Sequence, residues 1–337
     1  MGVKFLSSSG AKTKRLWVRN LVEVRYGRNV IEGTAMKTLV VGHHGMLAQS
    51  LTPNLQQAGF AVIRQGRPSL DITQQENLHR GMTTIQPDIV INAAAYTAVD
   101  QAESEQDLAF AVNRDGLRHL ADTCHEMGLP LIHVSTDYVF DGRAREPYRE
   151  DATPAPLGIY GQSKWQGETA LRSRHHTHLI IRTAWLYSHN GQNFVKTMLR
   201  LGREREVLRV VNDQYGCPTY SQDLAAAIAA MCQRIRQDRT TVPWGTYHFC
   251  STGQITWYDF ALAIFEEAKV FEQFCVREII PIPTTDYPTP AQRPAYSVLD
   301  CSKIQSDFCI MPRPWRDSLR ACIQELYSCT PTTPATS

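Results

Sequence analysis

The sequence has no apolar run near the roughly 20 residues that a membrane-spanning helix requires, and no apolar segment of a secretory signal. We therefore expect a soluble protein that does not enter a membrane. Excess charge is also small, because 35 Lys and Arg against 33 Asp and Glu leave a formal net charge of +2. This balance does not favour nucleic acid or an acidic membrane as a partner.

The nine cysteines include no C-x-x-C pair, so the sequence does not support a zinc site. Because no secretory signal is present, the simplest interpretation is a cytoplasmic protein with reduced thiols.

The two ends of the chain differ in composition from the rest. Residues 1–35 are rich in Lys and Arg, and Met36 directly precedes the first predicted strand. We interpret residues 1–35 as a disordered N-terminal extension, with an organelle-targeting segment as the alternative. Residues 329–337 are Cys, Thr, Pro, Ala and Ser, which predicts a disordered tail.

From Met36 onward, short apolar runs alternate with amphipathic stretches. These patterns predict strands at 37–41, 60–64, 88–92 and 131–135, and helices at 46–58, 74–85 and 102–127. Continuously apolar strands between helices are typical of a parallel sheet covered on both faces. We therefore predict an α/β fold, a doubly wound parallel sheet (Rossmann-like), with a smaller C-terminal α/β substrate-binding domain. The dinucleotide-binding domain is placed at 36–182, completed by about 221–250, and the discontinuous substrate-binding domain at 183–328.

A glycine-containing turn follows the first predicted strand, with the sequence GHHGMLA at 42–48. Its spacing, G-x-x-G-x-x-A, is a variant of the dinucleotide-binding fingerprint. Gly42 would allow the tight turn and Gly45 the close approach of a pyrophosphate to the free N–H groups of the helix. Candidate cofactor contacts here are Gly42, His44, Gly45, Met46 and Leu47, although two glycines after a strand are also typical of a simple turn.

The end of the second strand bears on the choice between NADPH and NADH. The segment IRQGR at 63–67 has no carboxylate to bind an adenosine ribose, whereas Arg64 and Arg67 could bind the 2′-phosphate of NADPH. The alternative is that both arginines are surface charges, which leaves NADH open. Asp71, next to Ile72, is placed to accept a hydrogen bond from the adenine amino group.

Catalytic candidates come from two further segments. Tyr160 and Lys164 have the i, i+4 spacing that puts two side chains on one face of a helix. An ammonium near the phenol would lower the pKa of Tyr160 and make it a better proton donor. Thr136 ends the apolar run 131–135, at the strand edge where ligands bind in such sheets. Its hydroxyl could donate to a substrate carbonyl.

Together these motifs resemble the extended short-chain dehydrogenases and, within them, the dTDP-4-dehydrorhamnose reductase family. The resemblance runs from Met36 to about Leu326. It is carried, in family order, by GHHGMLA, LDIT, PDIVINAAAYTAVDQAE, HVSTDYVFDG, YGQSKWQGE, IIRTAWLYS, VVNDQYGCPTY and RPAYSVLDCSKI.

The resemblance implies NAD(P)H-dependent reduction of the C4 keto group of dTDP-4-dehydro-L-rhamnose, a nucleotide sugar, for cell-surface polysaccharide. It implies that Thr136, Tyr160 and Lys164 are catalytic, and that Tyr160 and Lys164 also bind the cofactor, Lys164 at the nicotinamide ribose. The stretch that would line the nicotinamide includes Ala93, Ala94 and Ala95. The positions that would face the substrate are Thr97, Val99, Asp137, Tyr138, Trp185 and, near its phosphates, Arg293.

Two alternatives and one departure accompany this resemblance. The alternatives are a non-catalytic regulatory subunit that binds dinucleotide, and an epimerase or dehydratase of the same fold, for which Asp137 occupies the place of a dehydratase carboxylate. Some relatives bind magnesium at a dimer interface through glutamates, one of them in the first helix. Here that helix begins Gln49-Ser50-Leu51. We therefore expect no metal site, and the sequence leaves a homodimer open.

Overall fold

The computed structural model describes residues 35–328. The strands, numbered along the chain, are β1 (Lys37–Val41), β2 (Ala61–Gln65), β3 (Ile89–Asn92), β4 (Leu131–Thr136), β5 (His178–Thr183), β6 (Leu186–Tyr187), β7 (Val207–Val211), β8 (Tyr215–Gly216), β9 (Thr219–Tyr220), β10 (Gly245–His248), β11 (Ile255–Thr256) and β12 (Glu278–Ile282). The α-helices are α1 (Met46–Gln57), α2 (Gln75–Ile85), α3 (Val99–Ala102), α4 (Gln106–Phe110), α5 (Leu117–Glu126), α6 (Ile159–Arg174), α7 (Phe194–Glu204), α8 (Ser221–Gln237), α9 (Trp257–Ala268), α10 (Ser302–Phe308) and α11 (Trp315–Ser328).

Six strands form one sheet in the order β10–β5–β4–β3–β1–β2, and every pair in it is parallel. Successive residues of each strand face opposite sides, so both sides of the sheet carry apolar residues. On one side, Val40 and Ile91 pack with α1 and α8; on the other, Leu39 and Val90 pack with α2, α5 and α6. The predicted doubly wound parallel sheet is confirmed.

The C-terminal part of the chain adds three two-stranded sheets. Strands β7 and β12 pair in parallel, β6 and β9 pair in parallel, and β8 and β11 pair antiparallel. Helices α7, α9 and α11 contribute to a second core, with Val195, Phe260 and Leu319 among its buried residues. Segment 221–250 supplies α8 and β10, and β10 extends the large sheet at β5. The domain boundaries at 182 and 183 stay a prediction.

The region predicted as a single helix at 102–127 is largely helical, but it is interrupted at 103–105 and contains a π-helical turn. Here the chain forms α3, α4, a π-helical turn at Ala111–Gly116, and α5. The π turn brings the Asn113 carbonyl against α6, where a Cβ atom on Gly167 would lie 2.1 Å from that oxygen. The Asn113 side chain donates to Ser163 Oγ at 3.0 Å and accepts from the Tyr96 N–H at 2.9 Å. Such turns often occur at functional sites, and apolar spacing alone does not reveal them.

The expectations for the first 34 residues and for 329–337 lie outside the residues that the structure describes. Within 35–328, no helix is long and apolar enough to cross a membrane.

Candidate active site

The turn after β1 holds an unusually close backbone approach. Gly42 has φ +115°, and a Cβ atom there would lie 2.8 Å from the Ala94 nitrogen at the end of β3. No side chain caps the first turn of α1 at Gly45. Because the first N–H groups of a helix have no partner within the helix, this end of α1 is suited to an anion.

A cavity of about 390 Å³ opens beside this turn. Eight of the predicted cofactor residues line it: Gly42, His44, Gly45, Asp71, Ile72, Ala93, Ala94 and Ala95. Arg67, a candidate contact to the 2′-phosphate, also lines it, as do four residues that the prediction did not assign: His43, Gly66, Thr73 and Val112. The glycine cradle and this lining fit the pyrophosphate and adenosine of a dinucleotide. A larger groove of about 1030 Å³ adjoins it and shares Arg67 and Asp71, but no catalytic candidate lines that groove.

Five predicted cofactor residues are not among the residues lining this cavity: Tyr160 and Lys164, which are described below, and Leu47, Met46 and Arg64. Leu47 is buried in the core between α1 and the sheet. Met46 packs against a loop, where its Sδ lies 3.6 Å from Asn193 Nδ2. Arg64 lies on β2, paired in register with Val40, whereas Arg67 reaches the cavity. The roles of Met46, Leu47 and Arg64 therefore stay predictions.

Thr136 and Tyr160 meet at the carboxyl end of β4. The Thr136 hydroxyl donates to Asp137 Oδ1 at 3.1 Å and accepts from the Tyr138 N–H at 3.1 Å. Burial raises the pKa of the Tyr160 phenol, and a hydrogen bond with Thr136 partly opposes that increase. The structure thus brings together two of the three catalytic candidates and keeps the phenol in its protonated form.

Lys164 lies one helical turn further along α6 and is buried. Its Nζ donates to the Val134 carbonyl at 2.7 Å and lies 3.2 Å from Nε2 of His133. Burial lowers the pKa of Lys164 to about 8, with an opposing effect from Glu168. The expectation that Lys164 lowers the pKa of Tyr160 is not met, because desolvation raises that pKa and the Lys164 Nζ instead faces β4.

Two contacts fix the position of the first turn of α6. Gly161 packs so closely that a Cβ atom there would lie 2.2 Å from the Tyr138 carbonyl oxygen. The Ile159 N–H, in the first turn of α6, donates to Glu103 Oε1 at 2.8 Å. Larger residues at position 161 would therefore move Tyr160 away from Thr136.

Asp137 is buried beside the catalytic candidates. Burial raises its pKa to about 6, and nearby Ser297 and Thr136 partly oppose that increase. Its Oδ2 has no hydrogen-bond partner among the described residues. Oδ2 of Asp137 is therefore available to accept a hydrogen bond next to Thr136.

Tyr138 links the catalytic candidates to a charged pair. Its ring contacts that of Tyr160 edge-to-face, with centroids 5.6 Å apart. Arg293 Nη1 donates to the Tyr138 hydroxyl at 3.4 Å, and its Nη2 pairs with Asp100 Oδ2 at 2.9 Å. Gly142, with φ +74°, supports this arrangement, because a Cβ atom there would lie 2.7 Å from Pro294. A hydrogen bond thus connects Tyr138 and Arg293, two of the predicted substrate residues.

Trp185 belongs to a different group of side chains. Its indole stacks on that of Trp257, with centroids 3.5 Å apart, and a Cβ atom on Gly216 would lie 2.4 Å from it. Thr97 is exposed, and Val99 begins α3. No described hydrogen bond connects these three predicted substrate residues to Thr136 or Tyr160, so their roles stay predictions.

Sequence reasoning missed several side chains of this region: Asp100, Asn113, His133, Trp257 and Ser297. Asp100, His133 and Ser297 could have been found, because they lie within the quoted family segments. Asn113 and Trp257 lie outside those segments, and no residue pattern pointed to them.

Residues 35–328 contain no group of three or more His, Cys, Asp and Glu side chains that could hold a metal ion. In α1, the Ser50 hydroxyl lies 2.7 Å from that of Ser221 and is buried against α8.

Comparison with known proteins gives consistent results. Residues 36–328 match the family described as RmlD substrate binding domain. The chain is 40% identical to the dTDP-4-dehydrorhamnose reductase of Sinorhizobium fredii, over 86% of this chain and 98% of that one. It is 42% identical to the dTDP-4-dehydrorhamnose reductase of Escherichia coli K12, over 88% and 99%. The crystal structure of dTDP-4-dehydrorhamnose reductase from Bacillus anthracis, in complex with NADP, superposes with TM-score 0.80 at 36% identity, covering 87% of this chain and all of that one.

Proposed function

Because the chain belongs to the family of the RmlD substrate binding domain, we propose that it reduces the C4 keto group of dTDP-4-dehydro-L-rhamnose with NAD(P)H. The product is dTDP-L-rhamnose for cell-surface polysaccharide. The observation that supports this function best is the proximity of the Thr136 and Tyr160 side chains at the end of β4, with Lys164 on the same helix as Tyr160. This trio lies at the carboxyl edge of the sheet that carries the glycine turn.

The residues that would hold the cofactor are those of the turn and cavity. Gly42 and Gly45 would face the pyrophosphate, Asp71 the adenine, and Ala93–Ala95 the nicotinamide side. When bound, NADPH supplies the hydride that reduces the keto carbon.

Tyr160 acts as the general acid. Its phenol gives a proton to the keto oxygen as negative charge develops there, and its raised pKa ensures that this proton is present at neutral pH. The hydroxyl of Thr136 turns from Asp137 to donate to the same oxygen. Lys164 adds positive charge behind the pair, and donors aimed at the developing oxyanion stabilise the transition state.

The substrate is held on the other side of Tyr138. Arg293 presents a guanidinium, already oriented by Asp100, to the diphosphate. Trp185, stacked on Trp257, offers a flat apolar wall for the sugar or the base.

Several finer points are part of this proposal. The protein acts in the cytoplasm with a nucleotide sugar as its small-molecule partner and without nucleic acid, and a homodimer is its simplest assembly. Catalysis needs no magnesium.

One assay tests the function. Purified protein is mixed with enzymatically made dTDP-4-dehydrorhamnose and either NADPH or NADH, and the loss of nicotinamide absorbance is followed. We expect stoichiometric consumption of the reduced cofactor, with NADPH preferred. An epimerase would return its cofactor unchanged, and a regulatory subunit would bind dinucleotide without turnover. Either result would contradict the proposal.

A further inference from the structure

A row of three buried side chains connects the cofactor cleft to the catalytic lysine. Asn92 ends β3, and His133 is its neighbour in register on β4. Asn92 Nδ2 lies 3.1 Å from His133 Nδ1, and His133 Nε2 lies 3.2 Å from Lys164 Nζ. All three side chains are at most 2% exposed, so their polar atoms must find hydrogen-bond partners within the protein.

The row begins at a backbone group of the cofactor cavity. The Ala94 N–H donates to Asn92 Oδ1 at 3.1 Å, and Ala94 lines the cavity. This bond orients the Asn92 amide, because its oxygen must face the N–H and its NH₂ must then face His133. Asn92 consequently donates to His133 Nδ1.

The orientation of Asn92 determines the tautomer of His133. A neutral imidazole that accepts at Nδ1 carries its proton on Nε2. That Nε2–H points at Lys164 Nζ and can donate only if Lys164 is a neutral amine with a free lone pair. The remaining N–H groups of the amine include the donor to the Val134 carbonyl. The observed hydrogen bonds therefore describe the neutral state of Lys164.

Protonation of Lys164 requires the opposite arrangement along the whole row. An ammonium has no acceptor, so it would donate to His133 Nε2, and the imidazole proton would move to Nδ1. Nδ1–H then needs an acceptor, which Asn92 provides only if its side-chain amide flips so that Oδ1 faces His133. Its oxygen would leave the Ala94 N–H, freeing that donor on the wall of the cofactor cavity.

We propose that His133 is a positioning residue that couples the proton on Lys164, through Asn92, to the availability of the Ala94 N–H in the cofactor cavity. The kinetic part of this inference rests on the proposed function. The movement of the His133 proton between Nδ1 and Nε2 does not depend on that function.

The surroundings favour a neutral His133 in both states. The groups facing it are Lys164 and Arg172 on α6 and His178 on β5, and each lowers the pKa of His133, in addition to the larger effect of burial. Glu168, also on α6, acts on Lys164 and favours the ammonium. Because the pKa of Lys164 is about 8, both states of the row occur near neutral pH.

Nitrogen-15 NMR of the full chain, labelled at histidine, tests the exchange without any assay of activity. The His133 signals are identified by their loss in His133→Gln. Between about pH 6 and about pH 10, we expect the protonated nitrogen of His133 to change from Nδ1 to Nε2 as Lys164 loses its proton. In Lys164→Met, His133 should keep Nε2–H throughout. A single tautomer at all pH values in the unsubstituted protein, or an imidazolium, would overturn the proposal.

Two substitutions give opposite kinetic predictions. His133→Gln keeps an oxygen that accepts from the ammonium, so the alkaline limb of the kcat/KM profile should move up by about one pH unit. His133→Leu removes that acceptor from a buried site, so the limb should move down by a similar amount. A uniform loss of activity with an unchanged pH profile would mean that His133 serves packing only. If the protein does not reduce the sugar at all, the proposed function is wrong. The NMR experiment still shows whether the His133 proton moves between Nδ1 and Nε2.

Discussion

Replacing Tyr160 with Phe removes one oxygen and tests the central step of the mechanism. The ring contact with Tyr138, at 5.6 Å between centroids, does not depend on the hydroxyl. The hydroxyl that is lost is a neutral group, so the free energy of unfolding should change by only about 1 kcal/mol. The variant should therefore fold and bind cofactor as before.

Turnover should fall much further than stability. General acid catalysis contributes roughly 10²–10⁴-fold, which corresponds to about 3–5 kcal/mol of activation free energy. Because burial raises the pKa of Tyr160, the phenol is protonated near neutral pH, so the loss should not depend on pH there. We expect kcat to fall by that factor, measured by nicotinamide absorbance, with the Kd for NADPH, measured by fluorescence, nearly unchanged.

Tyr138→Phe is the matched control, since its hydroxyl accepts only a 3.4 Å hydrogen bond from Arg293. It should change KM by less than about tenfold, the scale of one weak polar contact, and leave kcat within a few-fold. A Tyr160→Phe enzyme whose kcat stays within about threefold of the unsubstituted enzyme would refute the assignment of Tyr160 as the acid.

Three further predictions follow from particular contacts. Arg67→Ala should raise KM for NADPH by about tenfold or more and leave KM for NADH little changed, and equal losses for both cofactors would contradict a phosphate contact. Arg64→Ala should raise KM for NADPH less than Arg67→Ala does, because Arg64 does not line the cavity. In a urea titration, Arg182→Met should lower the free energy of unfolding by about 3 kcal/mol, because it leaves the buried carboxylate of Glu168 with Arg172 as its only ion-pair partner. Arg200→Met, which breaks an exposed ion pair, should lower it by less than about 1 kcal/mol. Similar losses in the two variants would show that burial is not the cause. Enzyme activity and sedimentation should be the same in EDTA as with added magnesium. A loss of activity or of association in EDTA that magnesium reverses would reveal a metal site that is not apparent among residues 35–328.

The sequence alone was sufficient for the sheet, the glycine turn and the family. These features are local: an apolar run of five residues, a glycine spacing, or a pair at i, i+4 is complete within one segment of the chain. The parallel sheet is confirmed for that reason, and so is the family membership, which depends on several such segments in order. The bounds of the predicted strands and helices differ by only a residue or two, apart from the region after Ala102, whereas no bounds were predicted for β5 and β10 of the large sheet.

The tertiary structure decided what depends on contacts between distant segments. The π turn at 111–116 accompanies close packing of Asn113 on Gly167, a helix away. Arg293 finds Asp100 across 193 residues of sequence. The pKa values of Tyr160 and Lys164 likewise follow from burial rather than from their spacing, which is why the expected effect of the ammonium on the phenol was not met. Desolvation and hydrogen-bond direction are properties of the packed interior, and they arise only once the chain has folded around these groups.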